Sequence, residues 1–426
     1  MEKKKTAKLI IISALAIVIF GCFVLLPFLV PGQANWIDNL TLAQTVTPFW
    51  FNESNGQTTI YDEVVVPIKY GSNQTAEGYL TFTPTEIVSV KNYSGEISYT
   101  PDQYTLSGNR ISFDISSGLP YIQDEWLDNK NVPAQYQDGS IIPSSYNDDG
   151  GTNNGVHVVA ENALTRTNHL IVTYRYSTAE NQIDFAPQLQ VENYPNLMAK
   201  LTAAQPIKIL IYGDSISVGA SASGFVNLPP YLPTWFELIR QYLAQTYYNG
   251  DQSKITLNNY SVGGQSSSYG VEQLYKNSFD QSGYDLVIIG FGMNDASLKV
   301  NPYLFKSNTA TILNQLRSSS PNADFILLGS FTANPKSTFY GLHAEYMSHL
   351  AELATTFNLI NSQNKSGCTF VNLYDVSMGI LSRKQANNPN DTRYQYLDIS
   401  ANYTNHPNDF MVRLYAGCIL STFIDF

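Results

Sequence analysis

Four short stretches of the chain carry residue types that together could cleave an ester. Gly213-Asp214-Ser215 offers a hydroxyl nucleophile. Gly264 closes the segment Asn259-Tyr260-Ser261-Val262-Gly263-Gly264, Asn294 stands in Gly292-Met293-Asn294-Asp295, and His406 in Asn405-His406-Pro407-Asn408-Asp409. A serine hydroxyl is a weak nucleophile until a base takes its proton, and histidine is the side chain whose ordinary pKa suits that task near neutral pH. Attack on a carbonyl also creates an oxyanion, which needs hydrogen-bond donors already in place. The Ser215 N–H, the Gly264 N–H and the Asn294 side-chain amide would supply three donors from three segments. Gly213 permits a tight turn that exposes the serine, and Gly264 leaves no Cβ between backbone and substrate.

Each stretch taken alone has a plainer reading. Asp214 and Ser215 are good helix caps, Gly264 suits an ordinary turn, and Asn294-Asp295 suits a cap. Asp295 is read as structural. It is the ordered company of the four that favours catalysis. Two other serine or glycine motifs do not fit. A nucleophile elbow needs Gly two residues after the serine, where Ser217 stands. A phosphate loop needs a Lys that does not follow Gly219.

Five histidines are present, and His406 is the best base, in a loop ahead of the last helix that can reach back to Ser215. His157 and His169 belong to a β-rich region. His343 and His349, six residues apart on one helix, match no metal pair and are expected at the surface. The residue that orients the imidazole is expected to be Asn402, through its side-chain carbonyl, with Asp398 and Asp409 as alternatives and a backbone carbonyl a further one. No cofactor and no metal site are expected.

The elements that must position these residues follow from periodicity. Apolar β-rich runs at 207–212, 255–262, 286–291, 324–331 and 369–374 read as strands. They alternate with helical patterns at 233–247, 271–279, 304–318, 342–357 and 410–424. Such alternation implies βαβ units around a parallel sheet covered on both faces. Ser215, Gly264 and Asn294 then follow the first, second and third strands, at the rim where open α/β sheets gather their ligands. Upstream, residues 36–185 read as an all-β sandwich, with short runs at 63–70, 78–82, 86–90, 110–114 and 169–174. A long polar loop is expected between 124 and 155. Residues 186–206, with three prolines, read as a connector, and 207–426 as the catalytic domain.

Residues 1–35 read as a cytoplasmic tip and a membrane anchor. The uncharged apolar run 9–30 is about 22 residues, enough to cross a bilayer as a helix. Lys3, Lys4, Lys5 and Lys8 precede it, which places the N-terminus in the cytoplasm and both later domains outside. Secretion after signal cleavage is the alternative. The net charge of −11 argues against a nucleic-acid partner. A charged fraction of 14%, against a usual value of about 25%, with Tyr, Ser, Thr and Asn in its place, suits an extracytoplasmic protein and sugar contacts. Cys22 lies in the apolar run, and Cys368 and Cys418 are expected as buried free thiols.

With these residues in this order, the stretch 207–426 resembles the SGNH, or GDSL-like, hydrolase superfamily, whose Ser, Gly, Asn and His blocks correspond to Ser215, Gly264, Asn294 and His406. The resemblance implies a three-layer α/β/α flavodoxin-like fold and cofactor-free ester hydrolysis. An all-β domain ahead of it is similar to the layout of two-domain carbohydrate esterases. The family usually places an Asp three residues before its His, and Tyr403 stands there. The expected function is therefore removal of O-acyl, above all O-acetyl, groups from a carbohydrate or another small ester by an extracytoplasmic esterase. An envelope O-acyltransferase and a non-catalytic glycan-binding surface protein, gripping sugar with Trp50 and Trp126, are the alternatives.

Overall fold

The apolar runs of the C-terminal half build a five-stranded parallel sheet. Its strands are β1 (Ile207–Gly213), β2 (Ile255–Asn259), β3 (Leu286–Gly290), β4 (Asp324–Leu328) and β5 (Cys368–Val371). The computed structural model describes residues 40–426 except 128–129, 137–140, 146–155, 161–162, 181–182, 336, 362–365 and 387–393. Strand order is β2-β1-β3-β4-β5 and every pairing is parallel. All residues of β3 and β4 are buried, which is why they read as unbroken apolar runs rather than alternating ones. The order reverses at β1. The strands that lead to Ser215, Gly264 and Asn294 are therefore the three neighbours around that switch point, the place where sheets of this kind gather ligands at their carboxyl ends.

Helices Trp235–Tyr247, Ser267–Tyr275, Pro302–Ser319 and His343–Asn361 carry the chain between successive strands. The strands end three residues earlier than the apolar runs suggest at β2, β4 and β5, because the chain leaves the sheet for the rim there. Helix Leu373–Ala386 is not signalled by the sequence. Its buried positions include Leu373, Val376, Ser377, Ile380, Leu381 and Lys384, so a serine and a lysine interrupt the apolar stripe. The stretch taken as a connector contains helix Pro195–Thr202, opened by proline at its first turn, a place where proline's missing N–H costs nothing. Helix Asp409–Leu420 is buried from Phe410 onward, as an apolar helix must be.

The N-terminal half forms two sheets of five strands and a hairpin. The first contains Gln57–Val65, Pro84–Asn92 and Leu170–Ser177, paired antiparallel. The second contains Ile68–Lys69, Thr75–Tyr79 and Arg110–Asp114. The run expected as one strand over 63–70 is broken between Val65 and Ile68. Proline at 67 cannot donate to a ladder, and the chain leaves the first sheet for the second there. The hairpin pairs Ile141–Ser145 with Val156–Ala160, inside the region expected as a loop; the polar tip 147–155 lies outside the described residues. So does the apolar run 9–30 with Cys22, and among the described residues no helix is long and apolar enough to cross a membrane. Cys368 and Cys418 are free and buried.

Residues 36–426 make one compact unit, and buried charge ties its two halves together. Lys384 is fully buried and sits 2.5 Å from Glu63 of the first β-sheet and 3.2 Å from Asp398, which precedes the histidine loop. Burial works to lower the lysine's pKa, but Asp398 and Glu63 outweigh it and raise it. Glu63 also accepts from Tyr174 Oη and Thr81 Oγ1, and Asp398 from the Val66 N–H. The triad is thus satisfied on every side, the condition under which buried ions are tolerated. Arg413, on the last helix, likewise donates to the carbonyls of Thr45 and Tyr61. Replacing Lys384 with Met should strand two buried carboxylates and cost about 3–5 kcal/mol, read as a fall in the urea midpoint. The double change Lys384→Met with Glu63→Gln should recover part of it. An unchanged midpoint in the single variant would show that the triad adds nothing.

Candidate active site

The nucleophile turn is shaped by two glycines. Gly213 ends β1, and a Cβ there would lie 2.2 Å from the Gly290 carbonyl oxygen and 2.4 Å from Ser217 Oγ. Glycine at 213 therefore serves close strand approach, rather than the turn conformation the sequence suggests. The space is used: Asp214 N–H donates to the Gly290 carbonyl at 3.1 Å and Ser217 Oγ donates to the same oxygen at 3.0 Å. Asp214 caps the one-turn helix Ser215–Val218 by accepting from the Ile216 N–H. Burial pushes the Asp214 carboxyl up to about 7, with the Ile216 hydrogen bond opposing and Asp295 adding to the rise. Ser215 is the first helical residue, so its own N–H has no acceptor within the helix.

His406 comes to this turn from the far end of the chain. Its Nε2 lies 2.8 Å from Ser215 Oγ, and both side chains are nearly buried, at 8% and 5% exposure. The loop that delivers it is closely braced. The Asn402 side-chain carbonyl accepts from the N–H groups of Thr404, Asn405 and His406, each at 3.0 Å. Ala401 N–H donates to the His406 carbonyl, Ser400 and Pro407 form a bridge, and Asn334 reaches the Tyr403 carbonyl. Asn408 caps the helix that follows.

The other ring nitrogen faces the turn that follows the Ser215 helix. Nδ1 lies 3.0 Å from Ser221 Oγ. Asn402 is occupied with the loop backbone, Asp398 with Lys384 and Val66, and Asp409 accepts from the Ser223 N–H at 2.9 Å. Ser221 escapes sequence reading because it sits in a run of small residues, Gly219-Ala220-Ser221-Ala222-Ser223-Gly224, that signals only a turn.

The segments that carry the expected donors are bonded to one another, and Asn294 lies in the short helix Met293–Ser297. Asn294 Nδ2 donates to the Gln265 carbonyl at 3.1 Å, which orients the amide and leaves it a second N–H. Asp295 receives the Ser267 N–H at 2.9 Å and its hydroxyl at 2.5 Å, so it joins the loops after β2 and β3, a structural part. Gly264 has a φ of +75°, and a Cβ on it would meet nothing within 4 Å. Its loop is fastened to the nucleophile turn by Asn259 Nδ2, which donates to the Ser217 carbonyl at 2.8 Å, and by Val262 N–H, which donates to the Gly213 carbonyl.

The remaining histidines are elsewhere. His343 and His349 are buried rather than at the surface; the His343 ring packs beside Tyr346 and Tyr374 and the His349 ring beside Tyr303, and burial pushes the His343 pKa down to about 4. Trp126 packs beside Tyr121 and Tyr136, and Trp50 beside Phe49 and Phe185. Among the described residues no group of three or more His, Cys, Asp or Glu is arranged to hold a metal ion.

Residues 211–413 match the model of the GDSL-like Lipase/Acylhydrolase family. No curated protein matches the chain. Among solved structures, the chain is similar to a two-domain esterase (CEX) active on acetylated mannans, at 16% identity and a TM-score of 0.39, covering 56% of each chain. It therefore spans little more than half the length of that enzyme. A carbohydrate esterase family 3 protein from Talaromyces cellulolyticus matches at 13% identity and a TM-score of 0.37, over 50% of this chain and 94% of that one. Axe2, an acetylxylan esterase from Geobacillus stearothermophilus, matches at 15% identity and a TM-score of 0.37, over 51% and 93%.

The close approach at Gly213 can be tested directly. Gly213→Ala should force β1 and β3 apart and destabilise the fold by about 1–3 kcal/mol, as overpacking does. Thermal unfolding measures it, and a variant as stable as the parent would show that the turn has room to spare.

Proposed function

From the GDSL-like lipase/acylhydrolase domain in the C-terminal half of the chain, we propose that the protein is a serine ester hydrolase with Ser215 as nucleophile and His406 as base. The 2.8 Å contact between His406 Nε2 and Ser215 Oγ carries this reading. His406 takes the Ser215 proton as Oγ bonds to the ester carbonyl carbon. The carbonyl oxygen becomes an oxyanion, held by the Ser215 N–H, the Gly264 N–H and the Asn294 amide. The C–O bond to the alcohol then breaks, and the imidazolium returns its proton to the departing oxygen. Water attacks the acyl-serine with His406 again as base, releasing the acid and restoring the hydroxyl.

The substrate in this reading is an O-acylated, above all O-acetylated, carbohydrate. The family of the domain supports the ester, and the weakly charged, Tyr- and Asn-rich composition suits a neutral polar polymer. The proposed setting is the outer face of a membrane, with the run 9–30 as anchor and the lysines ahead of it on the cytoplasmic side.

Ser215→Ala should lower turnover of a chromogenic acetate ester by at least about 10⁴-fold and abolish labelling by an organophosphonate. Undiminished turnover in that variant would refute the assignment. Acetate released from an acetylated glycan, faster than longer acids from matched esters, would bear out the substrate class; a preference for long acyl chains would sink it.

A further inference from the structure

Ser221 is a non-glycine residue in the left-handed region, with a φ of +75°. That conformation is disfavoured for a residue with a Cβ, and its recurrence at functional sites reflects surroundings that hold it there. Here the surroundings can be named. Arg166, on the short helix Ala163–Thr167 of the N-terminal half, donates from Nη1 to the Ser221 carbonyl at 2.9 Å. Its neighbour Thr165 donates to the Ala401 carbonyl at 2.6 Å. One turn of helix thus grips both the segment carrying Ser221 and the loop carrying His406. Ser221 is 2% exposed, and its hydroxyl is 3.0 Å from Nδ1 of the imidazole.

We propose that Ser221 is the positioning residue of the catalytic histidine, its hydroxyl taking the place a carboxylate fills in other serine hydrolases, and that the N-terminal half holds it there through Arg166. The proposal rests on the esterase reading above. For Nε2 to accept the Ser215 proton, the neutral ring must carry its own proton on Nδ1, and a hydroxyl oxygen at 3.0 Å can accept from it. The contact selects the tautomer and fixes the ring plane toward Ser215. A hydroxyl carries no charge, so it orients the imidazolium without neutralising it. The strained backbone is what points this hydroxyl at the ring, and the carbonyl bond from Arg166 is what keeps the backbone there.

The test uses the full chain, with kcat and KM for a chromogenic acetate ester, thermal unfolding, and the rate of Ser215 labelling by an organophosphonate. Ser221→Ala should lower kcat and the labelling rate by roughly ten- to a hundredfold, the range set by losing one hydrogen bond to a charged group. KM and the unfolding temperature should stay near the parent's. Ser221→Asp, whose side chain tolerates the left-handed region and supplies an acceptor, should restore the rate. A Ser221→Ala variant at parental kcat would overturn the proposal while leaving the esterase reading intact. So would a loss that tracks a lowered unfolding temperature, or a Ser221→Asp variant as slow as Ser221→Ala. Full activity in Ser215→Ala would overturn the esterase reading and this proposal with it.

Discussion

The site depends on how near β1 can come to β3 at its carboxyl end. The Gly290 carbonyl oxygen receives both the Asp214 N–H and the Ser217 hydroxyl, and neither bond could form if either strand carried a side chain at that level. A Cβ on Gly290 would itself stand 2.5 Å from Ser217 Oγ. The nucleophile turn is therefore measured from β3, the same strand that leads two residues later into the Asn294 loop. The loop after β2 is measured in turn from the nucleophile turn, through Asn259 and Val262. Three segments that lie far apart in sequence share one reference point.

The histidine loop has a different origin. It is held from the other side, by contacts with the N-terminal half. Asp398 enters the buried triad with Lys384 and Glu63 just before the loop begins, and its carbonyl accepts from Asn408 where the loop ends. Arg413 and Thr165 add bonds beyond and within it. Ser215 belongs to the parallel sheet, and His406 belongs to the seam between the two halves. Their 2.8 Å contact joins the two frameworks.

Much of this was legible in the chain, and the rest was hidden for definite reasons. Apart from β2, the strands of the parallel sheet are short runs of mostly apolar residues, and Ser215, Gly264 and Asn294 stand just past the ends of β1, β2 and β3. Helix Leu373–Ala386 was hidden because its buried Lys384 reads as a surface residue until Glu63 and Asp398 are seen around it. The short helix Ala163–Thr167 has too few turns to show a period. Asn402, singled out by its spacing from His406, shapes the loop through three backbone N–H groups, and Ser221 lies 3.0 Å from the ring. A partner supplied by backbone conformation, as Ser221 is by its positive φ, leaves no trace in residue spacing.

The buried ties across the seam bear on modularity. In many multidomain enzymes the appended domain can be cut away or exchanged, because the interface between domains is small and wet. Here a lysine and an arginine reach across in the dry interior. The C-terminal half transplanted onto another protein would keep the bonds around Ser215 and lose those that brace the His406 loop from the N-terminal half. A cut between the halves would remove the supports of His406 while sparing those of Ser215.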